Sequence, residues 1–216
     1  MNELDSSELF TQIRTAHRMV VAYYKRLFPI LQGTADLLGL DFYCWVSGRF
    51  SPPGQRSTNI LSGGAWEWDL TPGIMPIFLF HNAEDNKIQL PGQWMLSLSV
   101  ITDTGVLTEN MGSNMDSLDL TISPEQAESL LRVSIVVPTK KTSLSWLDHV
   151  WRSCENIELN RSLEKSLIDE KNGIYAIGFE VPLSKLVEKN ASDWLKSEII
   201  TLRTELLSEI GSQNLI

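Results

Sequence analysis

The sequence predicts an α+β protein: a mostly antiparallel sheet of about six strands with long N- and C-terminal helices packed on one face. Three observations carry this. Apolar residues recur at helical spacing at both ends of the chain, they alternate with period two through the middle, and the connections between central strand candidates are short enough for hairpins.

The first element follows Leu9, Ile13, Ala16, Val20, Tyr24, Leu27 and Leu31, spaced by threes and fours along one stripe. Ser6 or Ser7 suits the N-cap, and Asp5 and Glu8 stand near the positive end of the helix dipole. Pro29 withholds an amide and clashes with the preceding turn, so the helix is expected to kink or stop there. A second short helical piece, Thr34–Leu38, then ends at Gly39.

From Asp41 the period drops to two. Phe42–Val46 is a strand candidate, and Ile74–Phe80 is an apolar run that Pro76 pushes toward a strand start or an edge. In Gln93–Thr102, Trp94, Leu96, Leu98 and Val100 face one way and Gln93, Ser97 and Ser99 the other, the pattern of a half-buried strand. Ser117–Ile122, Arg132–Val137 and Ile174–Val181 complete the set. Asn82–Lys87 and Asp103–Gly105 read as hairpin connections. Ser123-Pro124 opens a brief helix to Leu131, Ser143–Cys154 is another helical stretch, and Ser192–Ile210 closes the chain with Leu195, Ile199, Leu202, Leu206 and Ile210 in a stripe.

With 216 residues, 43% hydrophobic and 21% charged, residues 1–216 read as a single globular domain. The segment 48–73 is longer than the roughly 12 to 15 residues usual for a structured loop. Part of it is therefore expected to be ordered: Ala65–Leu70 alternates, with Trp66 and Trp68 on one face and Glu67 and Asp69 on the other.

No apolar run approaches the roughly 18 residues of a membrane span, and the acidic start of the chain is unlike a secretory signal. Cys44 and Cys154 match no metal or redox spacing and read as reduced thiols, so the expected location is cytoplasmic, without membrane association. The net charge of −9 is concentrated: residues 81–130 hold 1 basic and 8 acidic side chains. Such a balance disfavours duplex nucleic acid, whose binding draws on Lys and Arg, and is compatible with a basic protein partner.

Chemistry-bearing residues are sparse. His81 follows an apolar strand and precedes Glu84-Asp85, at a strand end where active-site groups emerge. Asp103-Thr104-Gly105 matches the aspartic-protease tripeptide, yet there is no second copy, and Asp and Gly at these positions equally make a turn. Asp119 and Glu67 complete the carboxylate candidates. No paired-Cys, His-x-x-x-His, phosphate-loop or dinucleotide motif occurs, so neither a metal nor a cofactor is expected.

Arg49, Arg56, Trp66 and Trp68 are the binding candidates, as anion partners and stacking walls. Three functions follow. The first is a non-catalytic acidic binding protein of the inhibitor, toxin-neutralising or adaptor type, acting through protein–protein contact, with a homodimer through the terminal helices as one form. The second is a small-molecule sensor, whose layout resembles GAF and PAS domains without any shared motif. The third is a hydrolase drawing on His81, Asp103, Asp119 and Glu67.

Overall fold

The computed structural model describes residues 6–48, 72–107, 110, 120–143, 145–152 and 167–213. Helix α1 spans Ser6–Leu37, 32 residues with Pro29 inside. Of the kink or stop expected at Pro29 the stop does not occur, and no separate helical piece begins at Thr34, because the helix runs through both. Pro29 itself is exposed while Leu27, Leu31 and Ala35 on neighbouring turns are buried, so core contact along one side outweighs the single amide withheld on the other. The cap expected at Ser6 or Ser7 lies outside the described side chains. α1 ends where Gly39 takes φ 67° and the Leu40 amide returns to the Ala35 carbonyl at 3.0 Å, a left-handed stop that glycine makes without strain.

Six strands follow: β1 (Asp41–Ser47), β2 (Pro76–His81), β3 (Met95–Ile101), β4 (Leu130–Pro138), β5 (Leu167–Asp169) and β6 (Ile174–Pro182). They form one antiparallel sheet in the order β1-β2-β3-β4-β6-β5. Pro76 opens β2 opposite Ser47, where a missing donor costs least. The stretch read as Ser117–Ile122 is described only from Leu120. There the Thr121 amide donates to the Asn110 carbonyl instead of joining the main ladder, and the sixth strand is the short β5. Ala65–Leu70 lies outside the described residues.

β3 is buried at all seven positions, Ser97 and Ser99 included, so it is not half-buried. Both faces of the sheet are covered. Phe80, Leu96, Leu98, Val100, Val133 and Ile135 share a core with Leu27 and Leu31 of α1 and with the C-terminal helix α2 (Ala191–Gln213), which supplies Leu195, Ile199, Leu202, Leu206 and Ile210. On the alternate positions, Ile77, Leu79, Met95, Val136 and Ile174 cluster with Trp146, Val150 and Trp151. Those come from a π-helical segment, Trp146–Trp151, entered through Ser145, whose Oγ accepts from the Asp148 amide at 3.2 Å. Alternation misreads β3 because Ser97 and Ser99, paired with Leu79 and Ile77 of β2, lie on the face that this second apolar cluster covers.

The helix expected from Ser123 to Leu131 reduces to one turn. The Gln126 and Ala127 amides both reach the Ser123 carbonyl at 3.0 Å. Beyond it, the Glu128 amide donates to Thr104 Oγ1 at 2.8 Å and the Thr104 amide to the Glu128 carbonyl at 3.0 Å, drawing the chain out of the helix and into β4.

Candidate functional site

The apolar stripe of α1 has two fates. From Leu27 to Ala35 it is buried in the core; from Leu9 to Val20 the same stripe stands in solvent. Ile13 is 42% exposed and Val20 53%, and every residue from Glu8 to Ala22 is exposed. These 15 residues extend about 22 Å at the usual helical rise. A helix of this length without tertiary contacts is marginal in water, and a long exposed apolar stripe is a mark of an interaction surface.

The stripe has a charged edge. Arg14, Arg18 and Lys25 lie along one flank, beside Phe10 and Val21, and all three are exposed. Between residues 8 and 26 there are four basic side chains, Arg14, Arg18, Lys25 and Arg26, against Glu8 alone, a balance of +3 in a chain of −9. Toward the body the stripe runs into aromatic rings. Tyr24 and Phe28 lie 4.8 Å apart between centroids, Phe28 meets Phe78 edge-on at 5.5 Å, and Phe42 meets Phe80 at 5.7 Å, while Phe28, Phe42 and the β1 residue Trp45 keep exposed faces.

His81, at the end of β2, is buried between rings, with Tyr43 at 4.8 Å and Trp146 stacked at 5.8 Å. Its Nδ1 accepts from the Ala83 amide at 3.2 Å, which places the proton on Nε2, 2.8 Å from Asn86 Oδ1. The imidazole thus staples the turn leaving β2. Asp103 follows the far end of β3 and accepts from the Gly105 amide at 2.7 Å, capping the short 3₁₀ turn Thr104–Val106. His81 pairs with Met95 at the start of β3, so the two residues sit at opposite ends of that strand and do not form one site. Glu67, Asp119, Arg49, Arg56, Trp66 and Trp68 lie outside the described residues.

Among the described residues, no group of three or more His, Cys, Asp or Glu converges as metal ligands, and no helix is long and apolar enough to cross a membrane. Cys44 is half-buried on β1, and burial pushes its thiol up from the ordinary value.

α2 presents a second surface. Opposite its buried stripe, an open concavity of about 870 Å³ is lined by Ile200, Thr201, Thr204, Glu205, Ser208 and Glu209. Ile200 and Leu207 remain exposed there at 45% and 38%. The sequence predicts both terminal helices as packed on the sheet, with a homodimer through them as one form, and it does not separate the buried part of either helix from the exposed part. The helical stripe is visible in the sequence, but its division into a buried and a bare half depends on where the sheet ends.

Fold and surface define an α+β protein with a solvent-facing helical segment. The chain belongs to the PM0109 family, whose model matches residues 3–206. No curated protein and no solved structure matches it.

Proposed function

We propose that the protein works as a non-catalytic binding protein, through protein–protein contact made by the N-terminal half of α1, in a reducing compartment such as the cytoplasm. The observation that carries this reading is the bare stripe from Leu9 to Val20, collinear with the stripe that the core buries farther along the same helix. A surface of this kind gains free energy by losing water, roughly 25 cal/mol for each Å² of apolar area covered. The flank of Arg14, Arg18 and Lys25 adds a preference in sign, so an acidic partner surface fits this helix better than a basic one.

The acidic excess of residues 81–130 points instead toward a basic partner. Its described charges are scattered, however. Glu84 and Asp85 share a turn with Lys87, Asp103 is committed to a backbone amide, and Glu125 and Glu128 belong to another connection. The α1 surface is continuous where that one is not.

The test is capture of binding partners from a native extract with immobilised full-length protein and with an Ile13→Asp/Val20→Asp variant. Both positions are solvent-facing, so the variant should keep its far-UV circular dichroism and lose the specific partners. An unchanged set of captured proteins would remove α1 as the contact surface.

A further inference from the structure

Resting on that reading, we propose that the partner is held as an extended segment, which adds a strand to the free edge of β1 and whose acidic end runs on to the bare half of α1.

β1 stands at one end of the sheet order, so among the described residues it has a neighbouring strand on one side alone. Its register decides which backbone groups face the open side. The Gly48 amide donates to the Met75 carbonyl at 2.8 Å. In an antiparallel ladder bonded pairs recur at every second residue, so Val46–Ile77 and Cys44–Leu79 are bonded in the same way. Trp45 and Ser47, opposite Phe78 and Pro76, therefore turn their amides and carbonyls away from β2. No residue of β1 is buried. An extended chain satisfies this row of donors and acceptors, whereas a docked helix satisfies none of it, its own amides being bonded internally.

The side chains of this edge invite contact. Edges are commonly blunted by shortness, lysine or proline. β5, the opposite edge, is three residues long, while β1 has seven residues and neither lysine nor proline. The bulge between Phe42 and Cys44 leaves Cys44 to Ser47 in regular register. Phe42 is 50% exposed and Trp45 47%, and both lie on the face that carries α1, since they pair with Phe80 and Phe78 of that core. Alternate residues of an added strand lie beside these rings, so those residues are apolar.

Charge fixes the direction. α1 packs over β1, and α2 over β4 and β6. Phe28 of α1 meets Phe78, and at about 100° per residue Arg14, Lys25 and Arg18 follow Phe28 round the helix, on the side away from the Ile30 contact with Ser192. The basic flank is thus turned toward the β1 edge. Lys25 stands at the Ser47 end, because its neighbour Tyr24 packs on Gly73, just before Pro76 opens β2 opposite Ser47. Arg18 and Arg14 continue along the bare half beyond it. Asp41 opens β1 at the other end, so the partner's acidic residues belong where its chain passes from Ser47 to the α1 flank.

Random linear peptides displayed on phage, selected on the full-length protein, test this, with the strongest binder then synthesised. Selected peptides should alternate apolar residues and carry Asp or Glu at one end. Methylating the synthetic peptide's amides one at a time should weaken binding roughly tenfold at every second position and little between them. Ser47→Pro deletes one outward amide where an edge strand tolerates proline, and should weaken binding roughly tenfold as well. In the wild type, hydrogen exchange at the Trp45 and Ser47 amides should be faster than at Val46 and should slow when the peptide binds.

Failure to enrich any peptide, or equal weakening at consecutive methylated positions, overturns the added strand. So do Trp45 and Ser47 amides that exchange as slowly as Val46 in the free protein, for the edge is then already paired. Binding that survives Ser47→Pro but is lost with Ile13→Asp/Val20→Asp overturns docking on β1 and leaves α1 as the contact surface. Binding that needs the Ser47 amide yet ignores Arg18→Glu and Ile13→Asp/Val20→Asp overturns the link to α1. A wild type that dimerises and becomes monomeric with Ser47→Pro overturns the separate partner in favour of a second copy.

Discussion

Ser192 Oγ donates to the Ile30 carbonyl at 3.1 Å, joining the first turn of α2 to the turn of α1 just beyond Pro29. The same carbonyl accepts from Thr34 Oγ1 at 2.8 Å. Gly33 lies against this contact, and a Cβ built there would meet Ser192 Oγ at 3.4 Å, an ordinary van der Waals separation. Two opposite effects follow. Ser192→Ala removes one inter-helix hydrogen bond and should lower stability by about 1 kcal/mol. Gly33→Ala adds a helix-favouring methyl that Ser192 meets at contact distance without a clash, and should raise stability by about 0.5 to 1 kcal/mol. Urea unfolding of both variants, with an unchanged slope, checks the pair; a destabilised Gly33→Ala would show that the helices approach more closely than this.

Pro29 offers the cleaner measurement. It is exposed, lies inside a continuous α-helix and leaves the Lys25 carbonyl without its helical donor. Pro29→Ala should therefore stabilise the protein, by up to about 3 kcal/mol. No gain in the urea midpoint would mean that the geometry proline imposes on this turn is itself required by the packing of Leu27 and Leu31.

Pro29 and Ser97 together show what local pattern conveys and what it does not. The heptad-like stripe of α1, the alternation in β1, β4 and β6 and the stripe of α2 are all readable, because each repeats with the period of its own backbone. A proline or a serine carries its propensity without its context. Pro29 is tolerated because Leu27, Leu31 and Ala35 reach the core, and Ser97 is buried on a face where Leu79 and Met95 cluster with Trp146, some fifty residues away in sequence. The bare half of α1 is hidden in the sequence for the same reason. Leu9, Ile13 and Val20 satisfy the same spacing as Leu27 and Leu31, and only the extent of the sheet separates surface from core.

The staple at His81 predicts a graded response. His81→Phe keeps a ring against Tyr43 and Trp146 but leaves the Ala83 amide without its acceptor, and should cost about 1 to 2 kcal/mol. His81→Ala also removes the packing and should cost about 2 to 4 kcal/mol. Asn86→Ala loses only an exposed partner and should cost under about 1 kcal/mol. Long-range nitrogen–proton correlation spectra should show the imidazole proton on Nε2 in the folded protein. Finding it on Nδ1 would be incompatible with the bond from Ala83.

Tyr24 gives the fold an alkaline limit. Burial, reinforced by the neighbouring Tyr23 phenol, pushes Tyr24 up to about 12 from the ordinary 10.0, and burial raises Tyr23 too. Below pH 10 the phenol is protonated in the folded and unfolded chains alike, and its contribution is fully present. As pH rises from 10 toward about 12 the unfolded chain ionises first and binds fewer protons, so stability falls and the contribution is gone once the folded group also ionises. Tyr24→Phe removes that group from the balance. The urea midpoint of the wild type should therefore decline more steeply than that of Tyr24→Phe as pH rises from 10.0 toward about 12. Parallel curves over that interval would show that the phenol is as accessible to water in the folded protein as in the unfolded chain.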